Sequence, residues 1–345
     1  SPCVILSQAG EIAMIPKQRF SYRTSITSIC TMFLTVLVSA CSSQDKVFII
    51  HASLPVAPRT IQSCLLIDTD MDIDDFMSLP PLLGNRHVVA IVTTEGAATP
   101  ALSASALVRV LAAPGLLPTI PVIIGASALP DRGYKIPPWL LTLRTYMERA
   151  NGLLLTAIRP KISDHPFETD VAKVTENCSK ITVLAIGPFS SFIRYSPAIR
   201  DRIDRVVMQG RPVHSLKKGT NPSFNCIYDQ AACNTAFEQL QELHPVWVDN
   251  PKKQKPPYVP TIDMVQGLNT DGGIGAFRAA YMSIEGTWRV DRLDKGFTQS
   301  FLWDQLAALY ILHPDTFHLV GAHMEPSISA DDIRQLWTHD SNALK

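Results

Sequence analysis

From Ile61 onward the sequence alternates short apolar runs with longer amphipathic stretches, and no other feature constrains the fold as strongly. This alternation is typical of a parallel β-sheet covered by helices, because strands buried on both faces are apolar throughout. The predicted strands are residues 63–67, 88–94, 121–125, 181–187, 205–208 and 245–248. The predicted helices are residues 102–112, 190–195, 229–243 and 303–312. We therefore expect an α/β protein with an open, mostly parallel, Rossmann-related sheet and helices on both faces.

The predicted strands and helices follow one another without a linker, so residues 61–345 are expected to form one domain. Three segments rich in Pro, Gly or Lys are predicted to be loops or lids, namely 130–160, 211–223 and 250–260. A ligand is expected at the carboxyl ends of the strands, because that edge of an open α/β sheet faces a crevice.

Charge balance restricts the class of partner. The chain of 345 residues has 31 Lys and Arg against 31 Asp and Glu, so its formal net charge is zero. A nucleic-acid binder or a polybasic membrane protein needs clustered cationic side chains to neutralise phosphate. A small-molecule substrate is the expected partner, with no nucleic acid, and the oligomeric state stays open.

The first forty residues have the features of a targeting segment. Basic residues between Lys17 and Arg23 follow a start at Met14, with residues 1–13 as an upstream extension. The apolar segment 29–38 then follows, too short to cross the bilayer as a helix, which takes roughly 20 residues. Residues 1–40 are therefore expected to be the upstream extension and a signal peptide.

A lipid attachment site is expected at the end of that segment. The sequence from Val38 to Cys41 resembles a bacterial lipobox, in which the cysteine thiol carries the lipid. Residues 41–60 would then tether the domain to a membrane through this anchor alone. Because Ser42 follows the cysteine, where an Asp would suggest retention at the inner membrane, the expected location is the outer membrane facing the periplasm. The alternative is a secretory signal cut before an incidental cysteine.

Four cysteines lie in the predicted domain, and we expect all of them to be structural: Cys64, Cys178, Cys226 and Cys233. An oxidising compartment would permit disulfides, but the sequence does not determine which cysteines pair.

A run of acidic residues directly follows the first predicted strand. Five carboxylates fall between Asp68 and Asp75, and at one strand end each would raise the pKa of its neighbours unless a cation neutralised them. All-oxygen ligands favour calcium or magnesium over zinc, and a loop with several carboxylates suits calcium. An EF-hand does not fit, because Ile73 stands where Gly is required and Leu79 where Glu is required. The alternative is a solvated acidic loop that caps a helix.

This acidic run resembles the DxDxxxDD signature of the inosine-uridine nucleoside hydrolase family. Further segments similar to the family follow in the same order: Ile181 to Ser190, ending in Gly-Pro-Phe-Ser; Met208-Gln209-Gly210; Phe224-Asn225 with Tyr228 to Ala232; and Leu302 to Ala308 with Pro314. The resemblance extends over roughly residues 61–320 and implies a nucleoside hydrolase-like fold. It also implies hydrolysis of an N-glycosidic bond that releases base and ribose.

The resemblance implies a calcium site. Its ligands would be the carboxylates of Asp70, Asp75 and Asp304 together with the backbone carbonyl of Ser190. Asp70 would also take the proton of a calcium-bound water that attacks the anomeric carbon. Asp68 would orient the loop from behind these ligands.

The resemblance implies that Asp74 and Asn225 contact ribose hydroxyls. Trp303, which is not a family residue, could stack on the base or line a differently shaped pocket. Each residue also has a simpler interpretation, since Asp304 could be a helix cap and Asn225 a turn residue. Asp72 stands where the family usually has Gly. A residue with a side chain at this position would be strained only if the backbone needs a positive φ.

Three departures from the family pattern concern the substrate site. Ala97 replaces an Asn that contacts the sugar, Ser223 replaces a Glu, and Trp303 replaces a His that helps protonate the departing base. His214 and Tyr228 are the candidate proton donors that remain.

Two alternatives stay open from sequence. A non-catalytic lipoprotein that binds a ribosyl ligand on the same fold would explain the three departures. A phosphatase of the haloacid dehalogenase type would use Asp68 and Asp70, but it needs Thr or Val where Asp72 stands.

Overall fold

The computed structural model describes ten segments of the chain, and all of them belong to the unit Arg59–Lys345. The segments are residues 63–112, 115–116, 119–133, 135–138, 140–142, 144–145, 158–211, 223–251, 253–290 and 301–345, with the side chains of 285–290 left aside. The predicted signal peptide, the tether at 41–60, Cys41 and His214 lie outside these residues. Within them, no helix has the length and apolarity needed to cross a membrane.

Eight strands and ten α-helices have both ends within the described residues. The strands are β1 (Cys64–Thr69), β2 (Val88–Thr93), β3 (Val122–Ile124), β4 (Ile181–Ala185), β5 (Ile203–Gln209), β6 (Pro245–Val248), β7 (Phe317–Val320) and β8 (His323–Pro326). The helices are α1 (Ile73–Asn85), α2 (Pro100–Ala112), α3 (Phe167–Val174), α4 (Phe192–Ile199), α5 (Phe224–Tyr228), α6 (Gln230–Leu240), α7 (Ile262–Gln266), α8 (Gly272–Val290), α9 (Asp304–Leu312) and α10 (Ala330–Ser341).

The strands form one sheet in the order β3-β2-β1-β4-β5-β6-β8-β7. All neighbours are parallel except β7, which runs antiparallel to β8 at one edge. The α/β prediction with an open, mostly parallel sheet is therefore confirmed.

Apolar side chains fill both faces of the sheet. Along β1, Leu65 and Ile67 join the core that packs against α1, α8, α9 and α10. Their neighbours Cys64 and Leu66 point to the opposite face and pack with α3, α4 and α6. Because helices cover both faces, the central strands are largely apolar, which is the sequence pattern that predicted them.

The strand order places a crevice beside β1. After β1 the chain builds the sheet outward on one side through β2 and β3, and it then returns to place β4 on the other side of β1. Ligands bind at such a reversal, at the carboxyl ends of the strands. The acidic run and the Gly-Pro-Phe-Ser segment follow the two strands that flank this crevice.

Two disulfides involve the four cysteines that were expected to be structural. Cys64 at the start of β1 pairs with Cys178, and Cys226 in α5 pairs with Cys233 in α6. All four side chains are buried. The first bond joins segments 114 positions apart, whereas the second spans 7 positions.

Two of the predicted loop segments can be compared with the structure. The described residues of 250–260 contain neither helix nor strand, as predicted. The described part of 130–160 differs, because residues 140–142 and 144–145 are helical. Most of the segment 211–223 lies outside the described residues.

Candidate active site

The loop between β1 and α1 forms the floor of the site. Asp70 and Met71 complete the turn out of β1, and Asp75 lies in the first turn of α1. The Asp75 carboxylate accepts hydrogen bonds from the hydroxyl of Thr69 and, at 3.1 Å, from the backbone N–H of Asp70. These bonds fold the acidic segment back on itself, so that the side chains at its two ends lie together.

Asp72 occupies the position that is usually Gly in the family. Its φ of −67° is ordinary, and its carboxylate caps α1 by accepting a bond from the backbone N–H of Ile73 at 2.7 Å. The left-handed backbone falls instead on Met71, whose φ is 58° and whose side chain is buried. A side chain at position 72 is therefore accommodated without backbone strain, while Met71 takes a conformation that costs about 1–3 kcal/mol.

Asp304 reaches this loop from the far end of the chain. It is the first residue of α9, a helix that is buried along most of its length and packs in the same core as α1. One carboxylate oxygen from each of Asp74, Asp75 and Asp304 lies within 4.8 Å of the others. Asp75 and Asp304 are buried, and Asp74 is partly buried.

Burial and mutual repulsion raise the pKa of every carboxyl group in this cluster. For Asp74, Asp75 and Asp304, burial is the larger cause, and neighbouring aspartates raise the pKa further. Burial and the charge of Asp70 raise the pKa of Asp72 to about 7. Buried carboxyl groups with a raised pKa are stable only when they are protonated or when a cation neutralises their charge.

The donor set fits a divalent cation. Three carboxylates that converge from two separate segments supply hard oxygen ligands, and a bound cation would remove the repulsion that raises their pKa. The structure thus brings the carboxylates of Asp74, Asp75 and Asp304 together. Of the ligands predicted from sequence, Asp70 adjoins this trio through its backbone bond to Asp75.

Asp70 is held in place by the loop that follows β2. Its Oδ2 accepts a hydrogen bond from the backbone N–H of Ala97 at 2.9 Å. The loop approaches so closely that a Cβ on Gly96 would lie 1.9 Å from the same oxygen. Gly96 therefore permits this contact, and Ala97 contributes a backbone group where the family has a polar side chain.

The end of β4 supplies Ser190 and a contact for Asn225. The hydroxyl of Ser190 donates to Asp229 at 2.7 Å, while Asp229 also caps α6 through the backbone N–H of Ala232. The side-chain amide of Asn225 donates to the backbone carbonyl of Ile186 at 2.7 Å. Asn225 is thus a buried residue anchored at the crevice.

Trp303 directly precedes Asp304 and is partly exposed. Its ring lies near that of Phe301, with centroids 5.4 Å apart. A second aromatic side chain, which was not predicted from the sequence, therefore packs beside Trp303.

Tyr228, one of the two candidate proton donors, is hydrogen-bonded to a carboxylate. Its hydroxyl donates to the Glu95 carboxylate at 2.6 Å, and burial and this hydrogen bond raise its pKa. Ser223 caps α5 by accepting a bond from the backbone N–H of Cys226. Asp68 is buried at the end of β1, and burial raises its pKa, an effect lessened by the neighbouring Tyr195.

The family model of the inosine-uridine preferring nucleoside hydrolases matches residues 65–341 of this chain. The chain belongs to that family. It is a hydrolase that acts on N-glycosyl compounds, as the resemblance implied. Nucleoside hydrolases of this family depend on a metal ion, usually calcium, and act on small nucleoside substrates.

Solved structures show the same fold at low sequence identity. The inosine-uridine preferring nucleoside hydrolase from Bacillus anthracis is 16% identical, with a TM-score of 0.57, covering 82% of this chain and 100% of that one. The purine-preferring ribonucleoside hydrolase from Gardnerella vaginalis is 13% identical, with a TM-score of 0.61, covering 81% and 98%. A plant nucleoside hydrolase, PpNRh1, is 15% identical, with a TM-score of 0.59, covering 81% and 98%. No curated protein matches the sequence.

Three residues that hold groups of this nucleoside hydrolase site in place were not predicted from the sequence. Gly96, Asp229 and Arg144 act through backbone groups or through other side chains, as their contacts show. The sequence carried one signal for Asp229, which lies in the family-like stretch from Tyr228 to Ala232. Arg144 lies in a segment predicted to be a loop and offered no signal.

Proposed function

We propose that this chain hydrolyses the N-glycosidic bond of a nucleoside or a related ribosyl compound in a calcium-dependent reaction that releases base and ribose. The convergence of Asp74, Asp75 and Asp304 at the carboxyl edge of the sheet carries this proposal. A set of carboxylate oxygens favours calcium or magnesium over zinc, and the number of carboxylates suits calcium.

Of the three converging carboxylates, Asp75 and Asp304 are proposed ligands of the ion, together with the carboxylate of Asp70 and the backbone carbonyl of Ser190, whereas Asp74 is proposed to contact the substrate. Calcium in this position would lower the pKa of a water molecule and fix its position. Asp70 would accept the proton of the attacking water, because the N–H of Ala97 holds its carboxylate in a fixed orientation. Asp68 would support the loop from behind, at the end of β1.

The proposed substrate contacts surround this group. Asp74 and Asn225 would bind ribose hydroxyls, and the bond from Asn225 to Ile186 supports a fixed position for its side chain. Trp303 would stack on the base, with Phe301 beside it. Positive charge develops on the sugar as the N-glycosidic bond breaks and its electron pair leaves with the base, which takes up a proton. The surrounding carboxylates would stabilise this charge until the water oxygen bonds to the anomeric carbon.

We also propose that the mature protein begins at Cys41 and is anchored by lipid to the outer membrane, facing the periplasm. The two disulfides support an oxidising compartment. Cell fractionation after labelling with a fatty acid tests this proposal. Label in the membrane fraction that is lost with Cys41→Ser is the expected result, and unlabelled protein in the cytosol would contradict it.

The catalytic proposal is tested by measuring release of reducing sugar from a panel of purine, pyrimidine and nicotinamide ribosides. We expect release from at least one compound, loss of release with a calcium chelator and recovery when calcium is restored. If no compound of the panel releases reducing sugar, although the protein binds calcium and ribose tightly, the result would support the alternative of a non-catalytic ribosyl-binding lipoprotein. The replacement of three polar family positions by Ala97, Ser223 and Trp303 is the observation that favours this second function.

A further inference from the structure

Arg144 contacts two segments that border the proposed active site. Its Nε and Nη2 donate to the backbone carbonyl oxygen of Gly96 at 3.1 and 2.8 Å. Nη2 also lies 3.2 Å from Glu95 Oε1 and contacts the hydroxyl of Tyr228. The Arg144 side chain is only 15% exposed, so these contacts form largely away from solvent.

Glu95 and Tyr228 hold the guanidinium of Arg144 in position. The Tyr228 hydroxyl donates to Glu95 Oε1 at 2.6 Å, and the backbone N–H of Ala128 donates to Glu95 Oε2 at 3.1 Å. The guanidinium carbon of Arg144 lies 5.5 Å from the centre of the Tyr228 ring. An ion pair, a hydroxyl and a ring therefore restrict the guanidinium to the orientation in which it also binds the Gly96 carbonyl.

The carbonyl that Arg144 binds belongs to the same peptide group as the N–H that holds Asp70. Arg144 contacts the carbonyl of Gly96, and the N–H of Ala97 on the other side of that peptide bond donates to Asp70 Oδ2 at 2.9 Å. Because a peptide group is planar, fixing its carbonyl also fixes the direction of its N–H. A cationic donor on the carbonyl also polarises the group and strengthens its bond to Asp70.

We propose that Arg144 is a positioning residue that orients the Asp70 carboxylate through the Gly96–Ala97 peptide. It acts without contact to the substrate or to the ion. This inference rests on the proposed role of Asp70 in calcium binding and catalysis. It predicts that replacing Arg144 lowers both calcium affinity and turnover, although the side chain contacts neither the ion nor the substrate.

The test compares Arg144→Gln with Arg202→Gln as a matched control. Arg202 also binds a backbone carbonyl, that of Thr175, but it does so next to the amino end of β5, at the opposite edge of the sheet. Calcium affinity is measured by titration calorimetry on the full chain, and kcat and KM are measured on the best nucleoside of the panel. Arg144→Lys, which keeps the positive charge but loses the planar set of N–H donors, is measured in the same way.

Outer-shell partners of this kind typically change metal affinity or activity by about 10-fold to 100-fold. We expect Arg144→Gln to lose about 10-fold or more in both calcium affinity and kcat, with KM within about threefold of wild type. Arg144→Lys should recover part of both losses, and Arg202→Gln should match wild type in all three quantities. A general loss of packing would lower the melting temperature of either variant without this selective effect.

Arg144→Gln with wild-type calcium affinity and kcat would overturn the inference and leave the proposed function intact. If Arg144→Gln fails to fold, Arg144→Lys decides, and a lysine variant equal to wild type overturns the inference as well. A wild-type protein that binds calcium but cleaves no nucleoside would contradict the proposed function alone, because calorimetry still tests the role of Arg144. A wild-type protein that binds no calcium would overturn both.

Discussion

Asp75 and Asp304 come from opposite ends of the described chain, and their carboxylate oxygens approach within 4.8 Å of one another at the carboxyl edge of the sheet. The approach depends on α9 packing beside α1 in the core on one face of the sheet. Because apolar packing brings together two groups that repel each other, the folded chain stores an electrostatic cost that a cation can relieve.

Removing one of the two carboxylates should therefore have opposite effects with and without metal. In the metal-free protein, Asp304→Asn relieves repulsion, so we expect a melting temperature equal to or above that of wild type. With calcium present, we expect the variant to lose most of the stabilisation that calcium gives to wild type, because stabilisation by a ligand scales with its affinity. Thermal unfolding with chelator and with excess calcium measures both effects.

The matched control for that experiment is Asp201→Asn, which removes an exposed carboxylate from the 3-10 turn between α4 and β5. It should leave the calcium-induced shift in melting temperature unchanged. Equal calcium stabilisation of Asp304→Asn and wild type would contradict the role of Asp304 as a ligand.

The stability of the metal-free protein should depend on pH through the raised pKa of Asp72. Below about pH 3.8 this group is protonated in both the folded and the unfolded chain. Between that value and about pH 7, the folded chain keeps the proton that the unfolded chain has lost, so the free energy of unfolding falls as pH rises. Above about pH 7 Asp72 has lost its proton in the folded chain as well, and the stability that this proton contributed is gone. The raised pKa values of Asp74, Asp75 and Asp304 act in the same direction.

Urea unfolding with chelator across this range measures the slope, and Asp72→Asn should make it shallower. Calcium should stabilise the protein more at the upper end of the range, because its ligands must lose their protons to bind it. A calcium effect that is independent of pH would be inconsistent with protonated ligands in the metal-free protein.

Gly96→Ala should disable the site. The new Cβ would stand 1.9 Å from Asp70 Oδ2 and 2.6 Å from Asp70 Cβ, so either the loop or the Asp70 side chain must move. We expect a loss of about 10-fold or more in calcium affinity, the size typical of a displaced ligand support. Calorimetric titration with calcium provides the measurement.

Gly115→Ala is the comparison for that variant. Gly115 has a φ of 73°, but a Cβ there would meet nothing within 4 Å. The Gly115→Ala substitution should lower the free energy of unfolding by roughly 1 kcal/mol through backbone strain and leave calcium affinity unchanged. Unchanged calcium affinity in Gly96→Ala would show that the close approach of Gly96 to Asp70 is not needed for calcium binding.

The two disulfides should differ in their contribution to stability. In the chain-entropy model, a bond that closes a loop of more than a hundred residues contributes about 4–5 kcal/mol, and one that closes a short loop about 2–3 kcal/mol. The double variant Cys64→Ser with Cys178→Ser should therefore melt at a lower temperature than Cys226→Ser with Cys233→Ser. The reverse order in calorimetric unfolding would indicate that local packing around α5 outweighs loop closure.

Sequence was sufficient for the central part of the fold because the buried strands are apolar runs. Strand β6 was predicted at residues 245–248 and lies there, and β1 was found but extends two residues further, to Thr69. Strands β7 and β8 were missed, because they have four residues each and include polar residues such as His318 and Glu325, which leaves little apolar pattern. Helix α1 was missed because the acidic run and the pair Pro80-Pro81 conceal its apolar face.

The site divides in a similar way. Asp75 and Asp304 could be found from the acidic run and the family-like segment near the end of the chain, and the structure brings them together with Asp74. Gly96 and Arg144 could not be found, because they act through a backbone peptide whose position depends on the packed fold. Contacts to backbone groups demand no particular pattern of side chains along the chain.

A crystal structure of the protein with calcium bound tests the central claim most directly. We predict one calcium ion between the β1–α1 loop and α9, with carboxylate oxygens of both Asp75 and Asp304 among its ligands at about 2.3–2.6 Å. Density for an ion bound elsewhere, or an Asp304 side chain turned away from the acidic loop, would contradict it.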